Sequence, residues 1–141
     1  MQLQVGVKIF IKNEQGQFLL LKRAHPYPRD KEVKWDIPGG RINSDESLID
    51  GLNREVSEET SMELLGDPQL IYAQDIFQGS ERHVVRITYI GQAVGEVLLD
   101  PSEHQEYRWV ELEDVLKTYH DMYLTSVVQM LLIQKSASLK S

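Results

Sequence analysis

Apolar and polar positions alternate at the start of the chain. Val5, Val7, Ile9 and Ile11 recur at every second position with Lys8 and Lys12 between them, which is the period of a strand. Asn13-Glu14-Gln15-Gly16 reads as a turn, and the continuous apolar run Phe18 to Leu21 as a second, more buried strand. Pro26 and Pro28 keep the polar stretch from Ala24 to Lys34 out of helix. Trp35-Asp36-Ile37 is a short extended piece, broken by Pro38-Gly39-Gly40. The pattern then predicts a helix from about Asp45 to Met62, with Ser44 as N-cap and Asp45 and Glu46 at the positive end of its dipole. Leu70 to Phe77 and His83 to Ala93 read as long strands and Glu106 to Val110 as a shorter one. Leu112 to Lys117 and Leu124 to Lys135 read as amphipathic helical segments, and Ser136 to Ser141 as a frayed tail. Strands outnumber the separated helices, which predicts an α/β domain with a mixed sheet covered by helices on both faces. No internal repeat or second domain is visible, so residues 1–141 are expected to form a single domain.

Charge narrows the partners. The net charge is −7, and a duplex DNA binder would carry a basic stripe instead. No apolar run is long enough to span a bilayer, so no membrane partner is expected. Cysteine is absent, which excludes disulfides, thiolate metal sites and a cysteine nucleophile, and suits a cytoplasmic location. The acidic excess is concentrated: Asp45, Glu46, Asp50, Glu55, Glu58, Glu59 and Glu63 face a single base, Arg54.

On a helical wheel Leu48, Ile49, Leu52 and Val56 form the apolar face of this segment. Glu59 falls on that buried side, Glu55 lies at its margin, and Arg54 lies opposite. A solvated acidic face would not aim a carboxylate at the core, and a buried carboxylate is costly unless paired or bound to a metal. Glu55, Glu58 and Glu59 are also neighbours at helical spacing, where like charges repel. A divalent cation would relieve both problems, and oxygen ligands suit Mg²⁺ or Mn²⁺. Just upstream, Pro38-Gly39-Gly40 offers backbone without side chains that can approach a phosphate or lend a carbonyl to a metal. His25, His83, His104 and His120 show no metal-ligand spacing.

Gly40, Glu46 and the run Arg54-Glu55-Val56-Ser57-Glu58-Glu59-Thr60-Ser61-Met62 resemble the Nudix box, G-x5-E-x7-R-E-U-x-E-E-x-G-U with U a bulky aliphatic. The spacing agrees across 23 residues, and the one departure is Ser61, where the family has glycine. Trp35 to Gly40 and the late Tyr107-Arg108-Trp109-Val110 are also similar to Nudix chains, so the resemblance spans the domain. It implies an α/β/α sandwich and Mg²⁺-dependent hydrolysis of a nucleoside diphosphate linked to another group, with Mn²⁺ able to substitute. Carried over by position, Glu58 and Glu59 are implied metal ligands, Glu55 a further ligand or the general base, and Gly39 a carbonyl ligand. Arg54 would orient the carboxylates and Glu46 would steady the loop. A further acid from a late loop is expected at Glu103 or Glu106, with Glu106 preferred because it leads into the Trp109 strand. Arg23, Arg29, Arg41, Arg82 and Arg86 are candidates for phosphate contacts, with Arg41 preferred because it adjoins the glycine loop and Arg23 because it ends a strand; Gly40 is a further candidate.

The implied partner is a small nucleotide, and small members of the family are monomers or homodimers. Some subtypes carry a proline or tyrosine about 15–18 residues beyond the box. Here Phe77-Gln78-Gly79-Ser80 has neither, which favours a nucleoside triphosphate, modified or plain, over ADP-ribose, a sugar nucleotide or a dinucleoside polyphosphate. A nucleotide sensor on the same scaffold would usually have lost the carboxylates that this chain keeps. Ser61 poses a local question. Either it takes up the left-handed conformation that glycine favours, or the helix runs on toward Gly66.

Overall fold

The computed structural model describes residues 1–140. The order is β1 (Gln2–Ile11), β2 (Phe18–Arg23), β3 (Trp35–Asp36), β4 (Gly39–Arg41), α1 (Leu48–Thr60), β5 (Glu63–Gln78), β6 (Arg82–Val94), β7 (His104–Val110), α2 (Leu112–Val115) and α3 (Met122–Lys140). Four strands form a mixed sheet in the order β4-β1-β6-β5, in which β1 and β6 run parallel and the other pairs antiparallel. The other three form an antiparallel sheet, β3-β2-β7.

Alternation along β1 and β2 divides the core into two layers. Val7, Ile9, Ile11, Leu19 and Leu21 pack with Leu52 and Val56 of α1. Phe10, Phe18 and Leu20 point the other way, to Val115 of α2 and Leu124, Val127 and Val128 of α3. Both phases of these strands are therefore buried, and the α/β/α sandwich expected from the sequence is what forms.

Several boundaries differ from the sequence expectation, each for a physical reason. Helix α1 starts three residues late, because Ser47 rather than Ser44 is the N-cap, its Oγ accepting from the Asp50 N–H at 3.1 Å. The residues before it are held as a turn, in which Glu46 N–H donates to Asn43 O and Asn43 N–H to Glu46 Oε1. Ile49, expected on the buried face, is 38% exposed. Strand β5 begins at Glu63 rather than Leu70, passing Gly66 and Pro68 by register shifts at Leu65/Gln69 and Leu70/Tyr72. It is an edge strand, where proline and bulges are tolerated. The segment Ser136 to Lys140 is helical rather than frayed, since no glycine or proline stops α3, and Ser141 lies outside the described residues. Gly39-Gly40 is not a bare turn but part of β4, paired with β1 through Val7↔Gly40 and Lys8↔Gly39.

Candidate active site

Strand β4 and helix α1 bring the Gly39-Gly40 backbone against the glutamates. Gly39 has φ 141, and a Cβ there would collide with the Val7 carbonyl and the Lys8 backbone. A Cβ on Gly40 would stand 2.6 Å from Glu55 Oε2. Gly39 is thus required by its close approach to the β1 backbone, whereas a side chain at Gly40 would displace the Glu55 carboxylate.

Arg54 organises the box. Its Nε donates to Glu46 Oε2 at 2.7 Å and its Nη2 to Glu46 Oε1 at 2.9 Å. Nη1 reaches Glu55 Oε1 at 3.0 Å and Glu58 Oε2 at 3.3 Å, and Nη2 also donates to the Arg41 carbonyl at 3.1 Å. One planar guanidinium therefore ties the loop before α1 to two glutamates on it. The hydrogen bonds from Arg54 hold the Glu46 carboxyl down at about 2.

Glu59 behaves differently. Its carboxylate is half-buried on the core side of α1 and accepts from the Gly39 N–H at 3.2 Å. Burial raises its pKa to about 8, against the opposing pull of the Lys8 ammonium and the Gly39 N–H. Lys8 itself donates to Asp36 Oδ2 at 2.8 Å and to the carbonyls of Ile37 and Gly39 at 3.4 and 3.5 Å. The helix ends where its partners demand it. Ser61 has φ 62, its N–H reaches Ser57 O, and its Oγ donates to the Leu98 carbonyl at 3.3 Å. Of the two outcomes open at Ser61, the left-handed one is found.

These groups open onto a cleft of about 680 Å³. Gly39, Gly40, Glu55 and Glu59 line it, as do Arg23 and Arg41. Arg54 and Glu46 stand behind that wall, and Glu58 is on the exposed side of α1 with its side chain 60% accessible. Glu106, the preferred extra acid, is not on the wall. It sits opposite Lys22 on β7, paired with Arg108 at 3.1 Å, while Glu103 lines the cleft. Among the described residues no three acids or histidines converge as a metal cage, and carboxylate oxygens of Glu55, Glu58 and Glu59 accept from Arg54 and the Gly39 N–H. Sequence reasoning missed Lys8, Asp36, Asp121 and Tyr123, which also line the cleft, as do Arg82 and Arg86 from the wider set of arginines considered for phosphate contacts. Lys8 had a signal: it is the polar phase of an otherwise apolar strand that pairs with Gly39.

The profile of the NUDIX domain matches residues 2–130. The chain belongs to the NUDIX domain family. This Nudix chain is similar to a Bacillus subtilis protein provisionally named an 8-oxo-dGTP diphosphatase, with 32% identity over 107 residues. That match takes in 74% of this chain and 64% of the relative, so the chain spans less than two thirds of that protein's length. It is 28% identical to the RNA pyrophosphohydrolase of Bartonella clarridgeiae over 134 residues, 79% of this chain and 76% of that protein. Its structure superposes on a MutT protein from Methanosarcina mazei with a TM-score of 0.79 and 35% identity, covering 94% of this chain and 95% of the other. Among the described residues no helix of the Nudix chain is long and apolar enough to cross a membrane.

Proposed function

We propose that the chain is a Nudix pyrophosphohydrolase that uses Mg²⁺, or Mn²⁺ in its place, to cleave the pyrophosphate linkage of a nucleoside diphosphate joined to another group. The observation that carries this reading is the junction of Glu55 and Glu59 with the bare Gly39-Gly40 backbone inside an arginine-bearing cleft. The residues fit a hard divalent cation. Gly39 O, Glu55, Glu58 and Glu59 supply only oxygen, and burial pushes the Glu59 carboxyl up to about 8 despite the nearby Lys8 ammonium, a cost that a bound cation would offset. Those four residues would hold the ion, which when bound supplies charge neutralisation at the phosphates and a more acidic water. Arg41 and Arg23 bind phosphate oxygens, Arg54 orients Glu55 and Glu58, and Glu55 takes the proton from the attacking water.

The preferred substrate is a nucleoside triphosphate, plain or with a modified base. The Bacillus relative's name favours this assignment, and the Bartonella relative's name raises a pyrophosphate carried on RNA as the alternative. On this reading the protein acts in the cytoplasm, as a monomer or homodimer of one domain. A screen of nucleoside triphosphates, ADP-ribose, sugar nucleotides, dinucleoside polyphosphates and triphosphorylated RNA with Mg²⁺ tests the reading through released phosphate or pyrophosphate. Turnover of a triphosphate is expected. Binding of nucleotides without turnover of any of them would replace the enzyme with a sensor.

A further inference from the structure

Gly6 has no steric reason to be glycine. It lies in the interior of β1, where a glycine weakens a strand and often marks a site where something approaches the backbone closely. Its φ is not in the left-handed range. A Cβ placed on it would meet only Val84 Cγ1 at 3.6 Å and the Gly40 carbonyl at 3.8 Å, both ordinary contacts. Gly39, by contrast, is forced by the β1 backbone, and a Cβ on Gly40 would push against the Glu55 carboxylate. Nothing within the protein therefore accounts for the missing side chain.

Its surroundings point to an occupant. Gly6 pairs with Arg41 of β4 on one side and with Arg86 of β6 on the other, so the three form one row across the sheet. In-register partners point to the same face, and all three line the cleft. The row leaves a gap between two guanidinium-bearing residues, floored by bare backbone. Arg86 is partly neutralised by Asp121 at 3.3 Å, whereas Arg41 makes no ion pair with a carboxylate among the described residues. Gly40, at the edge of the gap, abuts the Glu55 carboxylate.

We infer that Gly6 is a substrate-admitting position: its missing side chain opens a slot in which the phosphate chain of the substrate lies across β1 between Arg41 and Arg86. This rests on the reading of the cleft as a site for a pyrophosphate-bearing nucleotide. A side chain at position 6 would fill the slot without disturbing the apparatus on α1, so it acts on binding rather than on the chemical step.

The test compares wild type with Gly6→Ala and Gly6→Val. Calorimetry measures the Kd for inorganic tripolyphosphate with Mg²⁺ present, kinetics give KM and kcat for the best nucleotide found, and a thermal melt reports the fold. Gly6→Val should raise Kd and KM on the order of tenfold with kcat much less affected, and Gly6→Ala should have a smaller effect of the same kind. The melting temperature should be unchanged or raised. A folded Gly6→Val with wild-type Kd overturns the inference, and so does wild type that binds no tripolyphosphate. If Gly6→Val fails to fold, Gly6→Ala decides: an unchanged Kd overturns the inference and a raised one supports it. Wild type that binds tripolyphosphate tightly but hydrolyses no nucleotide removes the hydrolase reading, while the Kd series still decides the role of Gly6.

Discussion

The guanidinium of Arg54 holds the carboxylate of Glu46 in two parallel hydrogen bonds, at 2.7 and 2.9 Å. The pair joins the loop after β4 to the middle of α1, and so sets the distance between the glycine backbone and the glutamates. Its pH dependence follows from the depressed carboxyl. Glu46 titrates near 2 in the folded chain, below its ordinary 4.5, mainly through the hydrogen bonds from Arg54. The unfolded chain therefore binds more protons between those values, and stability falls as pH drops through that window. Denaturant unfolding from pH 6 to pH 2 should show a smaller acid loss in Glu46→Gln than in wild type. Identical acid profiles would remove the linkage.

Glu59 has the opposite sign. Burial raises it from 4.5 to about 8, so in metal-free protein the folded chain binds more protons than the unfolded one between those values. Stability from this group is greatest below pH 4.5 and declines as pH rises through about 8. In excess chelator, Glu59→Gln should match wild type at low pH and become progressively more stable than it toward pH 9. Parallel pH profiles for the two proteins would show that Glu59 is better compensated than its burial indicates.

Turnover should separate the glutamates from the scaffold. Glu58→Gln and Glu59→Gln are each expected to lower kcat/KM by roughly 100-fold, about 2.7 kcal/mol of transition-state stabilisation. Glu58 is exposed and its ion pair with Arg54 contributes about 0.3–0.5 kcal/mol at most, so its loss should leave melting nearly unchanged. Activity should also vanish in excess chelator and return with Mg²⁺ or Mn²⁺. Persistent turnover in chelator would remove the cation from the mechanism.

The box was legible because its residues lie within one loop and one helix, where spacing alone fixes proximity. Glu59 on the buried side of α1 and Arg54 beside Glu58 follow from the helical period. Of the core, the alternation of β1 disclosed the layer of Val7, Ile9 and Ile11, whereas the second layer, with Phe10 and Leu20 against α2 and α3, came only with the structure. The rest of the cleft depends on cross-strand register. Lys8 meets Gly39, and Gly6 meets Arg41 and Arg86, only because β1 pairs with both β4 and β6. No local pattern encodes those pairings. The late start of α1 was hidden by competition between two serines, settled by the tertiary hold of Arg54 on Glu46.

Ser61 adopts φ 62, where a Cβ costs about 1 kcal/mol or more. Glycine would relieve that strain, at the cost of a freer unfolded chain and of the exposed hydrogen bond from Ser61 Oγ to the Leu98 carbonyl. Ser61→Gly should therefore stabilise the fold by a net of roughly 0.5–1 kcal/mol, seen as a higher melting temperature at unchanged kcat. A lower melting temperature would mean that the hydroxyl contact outweighs the strain. Lost activity in a folded Ser61→Gly would give the hydroxyl a part in the chemistry.

The late acid can be decided between Glu103 and Glu106. Glu103 follows a turn in which its N–H donates to the Asp100 carbonyl, and its own carbonyl accepts from Ala24 N–H just past β2. That anchors its backbone beside Arg23, on the wall of the cleft. Glu106 is three residues on, in β7, and its partner is Arg108, which lies 4.8 Å over the Trp35 ring. Arg108 therefore offsets part of its charge, and Glu106 does not line the cleft. Glu103→Gln should lower kcat/KM by about tenfold, equivalent to about 1.4 kcal/mol, with an unchanged melt. Glu106→Gln should change kcat/KM by less than about twofold and stability by about 0–1 kcal/mol, the range for an exposed ion pair. The contrast is read at saturating Mg²⁺ and again at limiting Mg²⁺. An acid that assists cation binding shows a larger defect when the ion is scarce, whereas an acid that only touches the nucleotide shows the same defect at both. If Glu106→Gln is the slower enzyme, the late acid is Glu106 on β7 rather than Glu103.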